Sequence, residues 1–367
     1  MTANNPLGSS FKLSMSNVKE NNALYMEQFL LQTKEIISSG SYILGKKVEE
    51  FESQLASYLG IPYCLGVSSG TSALELVFSV LNLTEEDEII IQANAYIACA
   101  FGTLKSKASL KIIDCELDGT FSITQLESVL TSKTKAVLVV HLYGDCCNMD
   151  KLSEICKKNE IMLIEDCAQC LGSEYNGKKL GSFGDFSCHS FYPTKNLGAI
   201  GDAGAIGFLD SKYLIPLKQL RNLGSTEKYK HVLKGTNSRM DTLQASFLST
   251  KLPDLNKQLE IKRNIASDYC GNHLKNTDPL IKHSYHLYVI LHEQRESLMK
   301  YMASHGIETL IHYPIPFYKS KSFEEYNLLE FKNAEYLAPR ILSIPIYCSL
   351  TFLEIEYIKN TFNSFSA

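Results

Sequence analysis

Four short apolar runs, each closed by polar or turn residues, punctuate the first half of the chain: Glu88–Gln92, Leu110–Ile113, Ala136–His141 and Ile161–Ile164. Runs this short and this continuously apolar read as strands buried on both faces. Between them the spacing becomes helical. Leu74, Val77, Phe78 and Leu81 recur at i, i+3, i+4 and i+7, and Leu152, Ile155 and Cys156 repeat the pattern over a shorter stretch. Strands alternating with helices predict an α/β fold, a mostly parallel sheet flanked by helices. In such sheets ligands gather outside the carboxyl ends of the strands, so the residues following each run are where a site is expected.

The chain has 367 residues, 45% of them hydrophobic, enough for a sizeable core. From about Leu255 its character changes. A polar helical stretch, Lys257–Tyr269, leads through a loop at Asn276–Pro279 to a strand at Leu287–Leu291. A helix then covers Arg295–His305 and stops at Gly306. The expected division is a leader over 1–14, a large domain over 15–254 and a small α+β domain over 255–367. Lys+Arg 36 against Asp+Glu 40 gives a net charge of -4, without the basic footprint that nucleic acid or an anionic membrane requires. No run approaches the ~18 apolar residues of a membrane helix. Neither partner is expected.

Eleven cysteines invite a disulfide reading, but they are spread thinly over a long chain. The opening Met1–Ser16 stretch is polar and lacks the apolar core of a signal peptide. A reducing cytoplasm is therefore expected, with the thiols serving as small buried apolar side chains. Cys167 and Cys170 have C-x-x-C spacing, yet a zinc site would want a second matching pair, so no metal is expected.

Four features fall where a parallel-sheet enzyme places its chemistry. Ser68-Ser69-Gly70-Thr71 precedes the Leu74–Leu81 helix, where free N–H groups and the positive dipole end make a phosphate cradle. The same residues are also the ordinary N-cap signal. Glu165-Asp166-Cys167-Ala168-Gln169 closes the Ile161–Ile164 strand, and a carboxylate emerging from a buried strand needs a cation or a proton. Asp166 suits a protonated ring nitrogen, with Gln169 in reach of the same ligand; the plain alternative is a turn cap. Ser187 to Gly204 carries Lys195 between an apolar strand and a glycine-rich turn, where partial burial makes a lysine a competent Schiff-base nucleophile. Most lysines are nevertheless surface charges. Gly235-Thr-Asn237-Ser-Arg239-Met-Asp241 either caps the following helix or reaches into a site.

In this order and spacing the four resemble the sugar aminotransferases of the DegT/DnrJ/EryC1/StrS family. The resemblance extends from Ser39-Gly-Ser-Tyr-Ile-Leu-Gly45 through Val140-His-Leu-Tyr-Gly144 to Ile311-His-Tyr-Pro314 and Leu342-Ser-Ile-Pro345. It implies the type I aminotransferase fold with pyridoxal phosphate as cofactor. Lys195 would bond the cofactor, Asp166 would pair with the pyridine nitrogen and Gln169 would bind the ring hydroxyl. Tyr96 would stack on the ring, and Gly70, Thr71 and Ser190 would hold the phosphate. Asn237 would be lent to the neighbouring subunit's phosphate, implying a homodimer with shared active sites. Tyr192 and His312 would contact the sugar nucleotide. The branch resembled most closely takes L-glutamate and a dTDP-3-keto-6-deoxyhexose to dTDP-3-amino-3,6-dideoxy-galactose or -glucose for surface glycans. Amination at C-4 and a non-catalytic cofactor-binding regulator are the alternatives. Cys167, Ala95 and Gln92 depart from the family pattern, which commonly has Ala, Thr and Pro there.

Overall fold

The computed structural model describes residues 13–269 and 273–365. Seven strands form the central sheet: β1 (Tyr63–Val67), β2 (Glu88–Gln92), β3 (Ser109–Ile113), β4 (Thr134–Val140), β5 (Met162–Asp166), β6 (Phe186–Ser190) and β7 (Gly204–Phe208). Their order is β1-β7-β6-β5-β4-β2-β3. Only β7 runs against its neighbours, pairing antiparallel with β1 and β6 while the other pairings are parallel. The sheet is thus mixed but mostly parallel, as the alternating pattern predicts. Its parallel sense brings the carboxyl ends of β1, β2, β4, β5 and β6 to one edge, where the start of β7 joins them.

Both faces are covered, and side chains alternate between them with the strand period. Ile89, Ile91, Leu138 and Ile164 pack on one face with Leu74, Val77 and Phe78 of helix α1 (Gly70–Val80). Ile90, Val137, Val139 and Leu163 pack on the other with Leu152 and Cys156 of helix α2 (Met149–Lys158).

β5 ends two residues later than the apolar run suggests. Glu165 and Asp166 still pair with Val139 and Val140 on one side and with Ser187 and Cys188 on the other. The backbone ladder continues under charged side chains because the tertiary structure satisfies them, which hydropathy alone does not reveal. β4, by contrast, stops one residue before the end of its apolar run, at Val140, and His141 begins the turn.

In the C-terminal part, helix α3 (Leu255–Asp268), strand β8 (Tyr288–Leu291), helix α4 (Arg295–Ser304), strand β9 (Ile341–Ile344) and helix α5 (Phe352–Asn363) follow in order. Gly306 stands just beyond α4 at φ +73°, a conformation that favours glycine. β8 and β9 pair antiparallel and separate two cores. Tyr288, Ile290, Leu342 and Ile344 join Leu298, Met302, Ile355 and Ile358, while Val289 and Ile341 pack into the core under the large sheet. Of the expected leader 1–14, residues 1–12 lie outside the described residues. Leu13 is buried in the C-terminal core and exchanges backbone hydrogen bonds with Gly306 and Glu308. The ten described cysteines are free thiols, nine of them buried.

Candidate active site

A cavity of about 400 Å3 opens at the carboxyl edge of the sheet. Nine of the ten residues expected from sequence line it: Gly70, Thr71, Tyr96, Asp166, Gln169, Ser190, Tyr192, Lys195 and His312. Asn237 does not. It is exposed, and its Oδ1 accepts a hydrogen bond from Arg239 Nε at 3.1 Å.

One wall is built where β1 turns into α1. The Ser69 hydroxyl caps the helix by accepting the Ser72 N–H at 3.1 Å, leaving first-turn N–H groups such as those of Gly70 and Thr71 free for an anion. The fit around this cup is close. A Cβ on Gly70 would lie 2.7 Å from Cβ of Ser190, and one on Gly204 would run into the Ser69 carbonyl. Glycine at both positions lets β6, β7 and the helix start converge.

Asp166, the last residue of β5, is buried. Its Oδ1 accepts the Ala168 N–H at 2.9 Å and its Oδ2 accepts the Cys99 thiol at 2.8 Å. Burial, then the Asp166 charge, holds that thiol protonated. The carboxylate thus sits in a dry setting with both oxygens engaged, placed where a partner for a protonated ring nitrogen would be needed. Its neighbour Glu165 faces away. Glu165 accepts from His141 Nε2 at 2.8 Å and from the N–H groups of Gly181, Phe183 and Gly184. Burial acts to raise the Glu165 pKa, but the His141 bond and these backbone donors outweigh it and hold the group ionised. The pair anchors the end of β5 to the end of β4. Cys167, Cys170 and His141 present side-chain atoms within 4.8 Å of one another in the same buried region.

Gln169 is fixed from both ends of its amide. Oε1 accepts the Tyr143 N–H at 2.7 Å and Nε2 donates to the Tyr313 hydroxyl at 3.1 Å. The Tyr313 ring in turn stacks on Tyr96, with centroids 4.7 Å apart and planes at 29°.

Lys195 is partly exposed along its length, but its ammonium is enclosed by protein. Burial lowers its pKa to about 8, against the pull of the nearby Asp166 carboxylate. Its Nζ lies 3.5 Å from His286 Nε2. Burial first, and the Lys195 charge second, keeps both His286 and His312 neutral, the latter with a pKa near 4. His312 is oriented by Ser343, whose Oγ lies 2.8 Å from its Nδ1, while its carbonyl accepts the Tyr143 hydroxyl.

Sequence reasoning missed His286, Tyr313 and Cys99. Tyr313 adjoins His312 in a quoted motif, so its position was within reach. Nothing in the local sequence singles out the other two.

The DegT/DnrJ/EryC1/StrS aminotransferase family matches residues 25–363. The chain belongs to this family. The chain is similar to the dTDP-3-amino-3,6-dideoxy-alpha-D-galactopyranose transaminase of Aneurinibacillus thermoaerophilus, 39% identical over 360 residues, covering 95% of this chain and 98% of that one. Among solved structures it is similar to DesV of S. venezuelae, with TM-score 0.91 and 31% identity, covering 97% of this chain and all of the other. It is also similar to the PLP-form of the putative sugar aminotransferase Spr1654 of Streptococcus pneumoniae, with TM-score 0.84 and 25% identity over 92% and 95% of the two chains.

The protein is a sugar aminotransferase, and pyridoxal phosphate is its cofactor. The cavity suits that molecule: an anion cup at Ser69–Thr71, a buried carboxylate at Asp166 and an amine of lowered pKa at Lys195. Bound there, the cofactor supplies the electron sink and carries the amino group between donor and acceptor. Among the described residues no helix is long and apolar enough to cross a membrane.

Proposed function

We propose that this aminotransferase moves an amino group from L-glutamate to C-3 of a dTDP-3-keto-6-deoxyhexose, giving dTDP-3-amino-3,6-dideoxy-galactose or -glucose for surface glycans in the cytoplasm. The observation that carries the reading is the 39% identity, over nearly the whole of both chains, to a transaminase named for the galactose product. In this reading Lys195 bonds the cofactor and, once released, shuttles the proton at the reacting carbon, for which a pKa near 8 suits it. Asp166 holds the pyridine nitrogen protonated, Gln169 meets the ring hydroxyl, Tyr96 covers the ring, and Gly70, Thr71 and Ser190 take the phosphate. Tyr192, 52% exposed at the cavity mouth, and His312 meet the sugar nucleotide.

The reading includes a homodimer in which Asn237 serves the neighbouring subunit's cofactor phosphate. Two observations support it: Asn237 is exposed and outside its own cavity, and the helix Met26–Ser39 leaves Leu30, Leu31 and Ile37 exposed, an apolar face of the kind that oligomers cover.

The deciding experiment incubates the enzyme with L-glutamate and either dTDP-3-keto- or dTDP-4-keto-6-deoxyhexose, and locates the new amine by NMR. Amination at C-3 is expected. Amination at C-4 alone overturns the substrate assignment.

A further inference from the structure

A second cavity, of about 120 Å3, shares four wall residues with the first: Thr194, Lys195, His286 and His312. Two more lysines line it, Lys251 and Lys262, only 5% and 7% exposed. Lys251 Nζ donates to Asn22 Oδ1 and to the Gly198 carbonyl, both at 2.8 Å. Lys262 Nζ donates to Asn196 Oδ1 at 2.9 Å and to the Tyr285 carbonyl at 3.2 Å. All four acceptors are neutral, and among the described residues no Asp or Glu lines the cavity. Burial lowers Lys251 to about 8 and shifts Lys262 the same way. Buried ammonium groups without a counter-charge are unfavourable. Two polar atoms of the lining are buried with no hydrogen bond, His286 Nδ1 and Asn21 Oδ1.

We propose that this cavity receives the distal carboxylate of a dicarboxylate amino donor. The inference rests on glutamate being the donor, as proposed above. Because Lys195 borders both cavities, a donor whose amine reaches the reacting centre there can extend its other end toward Lys251 and Lys262. Leu259, Leu287 and Ile346 give that path apolar walls for the intervening methylene groups. Size separates the two substrates. At about 120 Å3 the cavity is well short of the roughly 300 Å3 at which pockets begin to take larger organic ligands. A sugar nucleotide belongs to the larger space, whereas a carboxylate arm fits the smaller. The lysines then gain the anion that the fold itself does not supply.

The probe is glutarate, which carries both carboxylates but no amine. Isothermal titration of the cofactor-loaded enzyme is expected to register binding to the wild type. Binding weakens about tenfold or more in Lys262→Met and recovers in Lys262→Arg, as loss and return of a charge-assisted contact require. Cys348→Asp is a second variant that keeps both lysines. Cys348 borders the same cavity, so a carboxylate there is expected to occupy the lysines and abolish glutarate binding. Glutarate binding unchanged in both variants overturns the proposal. So does inorganic phosphate binding as tightly as glutarate, which would make this a general anion site. In the first half-reaction, read from the cofactor absorbance, the preference for glutamate over alanine is expected to fall about tenfold in Lys262→Met. Equal losses for the two donors overturn the proposal. A wild type that binds glutarate but is reduced by no amino donor instead counts against the donor reading on which it rests.

Discussion

The ammonium of Lys195 and the imidazole Nε2 of His286 lie 3.5 Å apart, although 91 positions separate them in the chain. Their charges are coupled. The lysine helps keep the histidine neutral, while burial brings the lysine's own pKa to about 8. The neutral imidazole can accept a hydrogen bond from the ammonium, and a pKa near 8 lets Lys195 become a free amine at lower pH than an ordinary lysine.

Uptake of pyridoxal phosphate by the apoenzyme tests that coupling. In the proposed role of Lys195 the nucleophile is the uncharged amine, so the rate should rise with pH and level off above an inflection near 8, well below an ordinary lysine. Asp166 acts to raise this pKa, and Asp166→Asn should therefore move the inflection to lower pH. The growth of cofactor absorbance between about pH 6 and about pH 10 gives the profile.

Lys195→Ala should lose the yellow cofactor absorbance and at least roughly 10³-fold in kcat, the scale of losing both nucleophile and proton carrier. Lys195→Arg keeps the charge but offers no free amine, and should rescue neither. Wild-type protein that remains colourless after incubation with pyridoxal phosphate would remove the basis of the Lys195 assignment.

At the proposed phosphate cup, Gly70→Ala would bring a Cβ to 2.7 Å from that of Ser190. Overpacking of this kind costs about 1–3 kcal/mol, so cofactor affinity should fall about tenfold or more while the fold survives. Removing the opposing Cβ in the double variant Gly70→Ala/Ser190→Gly should restore stability but not cofactor affinity, because Ser190 is also proposed to hold the phosphate. Urea unfolding reads the first and equilibrium titration of the apoenzymes the second.

Glu165 joins His141 and three backbone N–H groups in a buried cluster. Glu165→Ala leaves these donors without an acceptor and should destabilise the protein by about 3–5 kcal/mol, read from urea unfolding. Glu165→Gln retains oxygen acceptor capacity and should lose less.

Acid should unfold the protein early. His189 and His312 have native pKa values near 4, and His286 is also held well below its unfolded value, burial being the main cause in each. The unfolded chain binds protons at these groups first, so stability is retained above about 6.5 and lost as pH falls from there toward 4. Urea midpoints measured across that interval should decline steadily. A flat profile would contradict the neutral state of these rings.

Sequence determined the parts of this protein that are local. The order of buried strands and helices was legible because burial on both faces leaves continuous apolar runs, and helices leave a 3.6-residue repeat. Ser69, Gly70, Asp166 and Lys195 stood out because each sits where such a run ends, and in a parallel sheet strand ends converge on one edge. What sequence could not reveal comes from distant segments. Cys99 reaches Asp166 across 67 positions, Tyr313 reaches Gln169 across 144, and Lys251 and Lys262 line one cavity together with Lys195. No local period encodes such pairings. They arise from sheet register and from the C-terminal strand pair packing onto the large core, and these also set the dryness that lowers the Lys195 pKa. The sequence supplied the reactive groups, and tertiary burial decided their charge.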